Sequence, residues 1–213
     1  MWGCSKDDGG NGGDTTYYLT LGNLNIPAGK IVTDNQTVLY ITANHAGLDQ
    51  ELDNKRVVAG YQKLKEVVEA GKKNYEIELL LIDEVQAKAP VYGTGEYGDE
   101  PVNVVRTWFG GNYLNVNYMV LAGNMQAHVF NMVINEEHPD ADEKNIYAEL
   151  RHSAEEDSGT EYKTGYVSFD LTQIVPDGES SVTINLSYTD YEGNTITETG
   201  IFVLDETLEA SLN

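Results

Sequence analysis

From Thr15 onward the chain alternates apolar and polar residues with a period of two, in runs rich in Val, Ile, Thr and Tyr. That spacing suits strands with one face buried and one face wet. Four such runs come early: YYLTLGNLNI (17–26), QTVLYIT (36–42), RVVAGYQKL (56–64) and YEIELLLIDEVQA (75–87). Turn-forming stretches, PAGK, HAGLDQELDN and EAGKKN, separate them and predict a compact unit of four or five strands. Residues 61–72, YQKLKEVVEAGK, also fit a helical face through Leu64, Val67 and Val68 with Gly71 as the stop. A strand and hairpin is the preferred reading.

The stretch APVYGTGEYGDEP (89–101) holds two of the five prolines and three glycines, which marks a domain boundary. Beyond it come seven more runs: VNVVRTWF from 102, YLNVNYMVL from 113, AHVFNMVIN from 127, IYAELRH from 146, YVSFDL from 166, VTINLSY from 182 and ITETGIFVL from 196. Seven short strands in about 100 residues match an immunoglobulin-like β-sandwich. GGN, AGN and DYEGN supply the glycine and asparagine that tight hairpins require. Strand phase names the core. Leu114, Val116, Tyr118 and Val120 form one row; His128, Phe130, Met132 and Ile134 another; Val182, Ile184, Leu186 and Tyr188 a third. The predicted organisation is a tether over 1–16, a first β domain over 17–91, a linker over 92–101 and the sandwich over 102–213.

Charge then excludes partners. The 213 residues carry 35 acidic and 13 basic side chains, a formal net charge of −22. Up to Asn103 there are nine basic against sixteen acidic residues, and beyond it four against nineteen. A phosphate backbone needs clustered Lys and Arg, so no nucleic-acid partner is expected. Lys63, Lys65, Lys72 and Lys73 are the one basic concentration, interrupted by Glu66 and Glu69. A single cysteine forms no internal disulfide, so stability must come from the core.

That cysteine lies in GCSKDDGGNGGD (3–14), a stretch too poor in apolar residues to offset ordering entropy. A small residue before Cys, here Gly3 before Cys4, matches the end of a bacterial lipobox, which makes Cys4 the lipid attachment candidate. Ser5, Lys6, Asp7 and Asp8 resemble the acidic export signal that follows such cysteines in surface lipoproteins of Bacteroidetes. Downstream, NYLNVNYMVLAGNMQAHVFNMVINEE, YAELRHSAEEDSG, GYVSFDLTQI and TINLSYTDYEGN resemble the NigD-like lipoproteins of Bacteroides and its relatives over most of residues 30–205. The resemblance implies an N-terminal OB-like β-barrel followed by a C-terminal β-sandwich, exported and anchored by lipid to the cell outer membrane, exposed at the surface. It implies no established activity. The family name adds a bacteriocin-associated or immunity role as one alternative.

Candidate chemistry is sparse. Among fourteen tyrosines, Tyr92, Tyr97 and Tyr191 fall in loops where a ring can stack on a sugar, so a glycan or protein ligand is the open partner class. His128 and His152 fall at strand ends on one sandwich rim, and with an acid they form a weak zinc candidate. The acidic loop 135–145 holds Asp140 and Asp142 but lacks the alternate-position pattern and sixth-position glycine of an EF-hand, leaving adventitious calcium at most. Glu149 and Arg151 are expected to pair on the outer sheet surface. No catalytic motif appears, and 35 acids make any carboxylate pair uninformative, so the expectation is a non-enzymatic binding or structural module without a cofactor. A carbohydrate-active accessory protein or hydrolase using acidic residues is the alternative.

Overall fold

The computed structural model describes residues 16–205; Cys4, Ser5, Lys6, Asp7 and Asp8 lie outside the described residues. The chain divides after Gln86 into two units. The first is built from β1 (Tyr17–Asn25), β2 (Lys30–Thr33), β3 (Val38–Asn44), β4 (Arg56–Glu69) and β5 (Lys72–Glu84), with one 3-10 turn at Gln50–Leu52. These strands close a barrel in the order β1-β2-β3-β5-β4, with β1 antiparallel to β4 and β3 parallel to β5. The early runs appear as strands, and β2 joins them: it emerges directly from the PAGK turn and is too short to show a period of its own. The ambiguous segment is strand. Residues 61–69 continue β4 into a two-residue hairpin at Ala70 (φ 48°) and Gly71 (φ 79°), positive angles that match the strand twist.

Inward alternation fills the barrel with Leu24, Ile31, Leu39, Val57, Ala59, Ile77 and Leu79. Gly22 stands where β1 pairs with both β2 and β4; a Cβ there would lie 2.6 Å from the Val32 carbonyl oxygen. Closure therefore depends on the missing side chain. Beside this core Tyr18 stacks on Tyr61, centroids 5.5 Å apart, and Lys63 Nζ sits 4.4 Å from the Tyr18 ring and 3.8 Å from that of Tyr75. The most basic part of the sequence thus spends one lysine internally, on two ring faces. Arg56, with its side chain 2% exposed, places Nη2 at 2.8 Å from both Asp34 carboxylate oxygens.

The second unit is a sandwich of two sheets. One has the order β14-β13-β11-β10-β7 and the other β6-β12-β9-β8. Its strands are β6 (Gln86–Lys88), β7 (Val91–Tyr92), β8 (Asn103–Gly110), β9 (Tyr113–Leu121), β10 (Val129–Ile134), β11 (Asn145–Ser153), β12 (Tyr162–Asp170), β13 (Ser181–Thr189) and β14 (Thr195–Val203). Each of the seven expected runs is a strand here, but two corrections follow. First, β6 and β7 come from residues assigned to the first domain and linker, so the sandwich has nine strands among the described residues and the boundary moves from 91 to 86. The run expected over 75–87 breaks at Val85, and its last two residues open β6, while β7 is a strand through its pairing with β10. Second, the sheets are not the all-antiparallel immunoglobulin arrangement, because β11 runs parallel to β13 and β10 parallel to β7.

The predicted rows form the core. Val116, Val120, Phe130, Met132, Ile184 and Leu186 lie in one cluster with Phe169, Leu171 and Phe202. Gly111 (φ 60°) and Asn112 (φ 62°) make the β8–β9 hairpin. Asn112 also uses both ends of its amide on Asp205, at 2.9 and 2.8 Å.

Candidate functional site

At one rim of the sandwich, β10 begins and β11 ends side by side, with Phe130 opposite His152 in register. His128, just before β10, and His152 are both buried. His128 Nδ1 lies 2.8 Å from His152 Nε2, His128 Nε2 lies 3.0 Å from Asp157 Oδ2, and His152 Nδ1 lies 3.2 Å from the Pro101 carbonyl oxygen. Proton counting fixes much of the chemistry. A carbonyl and a carboxylate only accept, so His152 Nδ1 and His128 Nε2 must both carry hydrogen, and the His–His bond needs a third. Three hydrogens on four ring nitrogens give the pair one positive charge, balanced by Asp157. Burial holds His152 below its ordinary pKa, and the interaction with His128 acts in the same direction. Asp157 is pulled below the usual carboxylate range, chiefly by the bond to His128 and also by N–H groups of Asn124 and Gly123. Those amides donate at 3.1 and 2.7 Å.

The two histidines meet at the rim, as expected, yet their nitrogens are turned on each other and on Asp157. A shared metal would need lone pairs converging on one point about 2 Å away. Among the described residues no group of three or more His, Cys, Asp or Glu is arranged to hold a metal. Asp142 instead caps its own loop, accepting from the Lys144 and Asn145 amides at 2.8 Å, and the Asp140 N–H donates to His138 Nδ1. His138 in turn stacks on Tyr147 at 3.7 Å.

His152 also organises the neighbouring surface. Its backbone carbonyl accepts from the Glu100 amide at 3.1 Å, and Gly98 (φ 80°) lies so close to that carbonyl that no side chain fits. The segment between β7 and β8 is thereby pinned at its far end. At its near end Gly93 (φ 87°) turns the chain away from β7, and the Tyr97 hydroxyl reaches the Tyr92 carbonyl at 3.3 Å. Between the pins the segment borders an open depression of about 410 Å³, lined by Tyr97, Asn135, Glu136, Glu137, Glu149 and Arg151, among others. Arg151 Nη1 is 3.3 Å from Glu149 Oε2, the surface pair expected from strand phase. Three carboxylates and one guanidinium line the depression. The excess of carboxylates makes it unfavourable for an anion.

Of the three tyrosines expected in loops, Tyr92 instead ends strand β7, paired with Ile134 of β10, and Tyr97 lines this depression. Tyr92 is exposed beside it and contributes its carbonyl, while Tyr191 lies elsewhere, its hydroxyl accepting from the Leu121 amide at 2.9 Å. Arg151, Glu149 and Asp157 were not foreseen as site residues. A two-residue alternation placed the first pair outside; nothing in the sequence around Asp157 points to the buried imidazole it meets.

No curated relative matches the chain. Solved structures do. A candidate toxin-related protein of Parabacteroides distasonis is 23% identical, with TM-score 0.67 over 91% of this chain and 97% of that one. A NigD-like immunity protein of Bacteroides caccae is 18% identical, TM-score 0.66, over 90% and 98%. A candidate lipoprotein of Bacteroides fragilis is 14% identical, TM-score 0.57, over 89% and 98%. At these identities the likeness is one of fold. Residues 84–201, more than half the chain, match the NigD-like C-terminal beta sandwich domain, and the protein belongs to the NigD-like family.

Proposed function

We propose that this protein is an exported binding module, anchored by lipid at Cys4 to the outer membrane and exposed at the cell surface, whose sandwich presents the depression beside Tyr97 to a neutral glycan. The observation that carries this reading is the placement of Tyr97, Arg151 and Glu149 around one concave surface, under a segment fixed at both ends. Pre-fixed geometry lowers the ordering cost of binding. The Gly3–Cys4 junction and the acidic residues after it support the anchor, as does the likeness to a candidate lipoprotein. The closed five-stranded order of the first unit, with β1 paired to β4, supports an OB-like barrel.

A binding role is favoured over hydrolysis by the state of the acids. A glycosidase needs one carboxyl raised above its ordinary range. Among the described residues the carboxylates with shifted pKa, Asp142, Asp157 and Asp190, are all shifted down. A second reading, an immunity role against a toxin, is favoured by the likeness to the Bacteroides caccae immunity protein.

Saturation-transfer NMR and calorimetry against a panel of neutral oligosaccharides test the proposal. Binding that is lost in Tyr97→Ala and in Arg151→Ala, with folding unchanged, is the expected result. Binding by both variants at wild-type affinity refutes the site. Release of unaltered sugar separates binding from hydrolysis.

A further inference from the structure

The sandwich has four sheet edges among the described residues, and three carry protection against pairing with another chain. β6 and β7 are three and two residues long. β8 is bulged between Val104 and Arg106 and sets Arg106 outward. β14, at the remaining edge, is nine residues long without proline, lysine or bulge, and β13 is its hydrogen-bonded neighbour. The bonds from Asp190 N–H to the Asn194 carbonyl and from Leu204 N–H to the Ser180 carbonyl bracket the β13–β14 ladder. Even-numbered residues of β14 therefore turn their backbone groups to β13, and the odd-numbered ones turn theirs to the open side.

We infer that β14 is the self-association edge of this protein, pairing antiparallel with β14 of a second copy. Charge selects the occupant. In a chain of net charge −22, the outward residues of β13 and β14 are Ser, Thr, Asn, Ile and Val, with no ionisable side chain. The one charge of β14, Glu198, faces inward and already accepts from the Tyr188 hydroxyl at 3.2 Å and from the Thr107 hydroxyl. An acidic or basic partner finds nothing to hold on this strip, whereas a second copy can approach without facing carboxylates. The strand is also its own complement. Centred on Gly200, twofold pairing sets Thr199 opposite Ile201 and Thr197 opposite Val203, β-branched pairs throughout, and sets each Glu198 opposite Phe202, away from its twin. Ile201 and Val203, 69% and 63% exposed, lose that exposure in part. Such pairing uses the outward backbone groups of Thr197, Thr199, Ile201 and Val203, roughly eight hydrogen bonds.

Sedimentation equilibrium on the full chain, with reductant present so that Cys4 cannot crosslink, tests this. The expected result is reversible formation of a species of twice 23.5 kDa. Ile201→Asp, which adds a charge at the centre of the pairing, and Thr199→Pro, which removes an outward N–H, should each raise the dissociation constant roughly tenfold or more. Val105→Asp, an exposed residue in the β8 bulge, should leave it unchanged. A single 23.5 kDa species up to about 0.5 mM overturns the inference, since weaker pairing lies below any specific contact. So does a dimer indifferent to Ile201→Asp, whose outward side chain leaves folding intact even where the proline variant fails.

Discussion

Replacing His128 with phenylalanine keeps a flat ring of similar size in a fully buried site and removes the ring's bonds to His152 and Asp157. The bond to His152 Nε2 at 2.8 Å has no substitute, because that nitrogen is enclosed; leaving it without a donor costs about 1–3 kcal/mol. Asp157 fares better, since it keeps the Gly123 and Asn124 amides and lies near water. Loss of the charge-assisted bond adds to the first cost, so about 3 kcal/mol is expected in all. For a chain of this size that is a fall in Tm of roughly 10 °C. Calorimetry of wild type and His128→Phe measures it. Hydrogen exchange supplies a second readout: the Glu100 amide, bonded to the His152 carbonyl, should lose protection, because the ring that anchors Pro101 is no longer fixed. A Tm within about 3 °C of wild type would refute the charged-pair assignment.

Acid should act on the same place in two steps. His152 is depressed, so the unfolded chain binds its proton more readily; the stability it contributes is complete above pH 6.5 and lost as pH falls through its folded value. Asp157 is likewise depressed, and its contribution is complete above pH 3.8 and lost below that. Chemical denaturation at stepped pH should show both losses, and a flat profile between pH 7 and 5 would contradict the first. At the alkaline end, Tyr61, Tyr118 and Tyr188 are pushed up to about 12, mainly by burial. Their contribution holds below pH 10 and is lost as pH rises toward 12, so ultraviolet titration should show these three ionising together with unfolding. In the barrel, Gly22→Ala forces a methyl against the Val32 carbonyl and should cost about 2 kcal/mol, read as a lower urea midpoint.

The strand rows of the sandwich could be read directly from sequence because period-two alternation and burial are the same fact there. His128 and His152 were placeable at one rim for that reason, each ending an apolar row. What escaped the sequence lacked a local cause. β2 is four residues behind a turn, and β7 is a strand through its pairing with β10. Asp157 sits in a loop and is brought to His128 by tertiary structure, across 29 positions. Tyr97 was found among loop aromatics, but its companions Arg151 and Glu149 looked like an ordinary surface pair until the 93–98 segment came to border them.

The parallel neighbours β11 and β13 carry a kinetic consequence. The strand between them in sequence, β12, belongs to the opposite sheet, so the chain crosses the sandwich twice before β13 can dock beside β11. The sandwich should therefore form late, on the milliseconds-to-seconds scale of folds dominated by distant pairings, after β12 has joined one sheet and β13 has returned to dock beside β11 in the other.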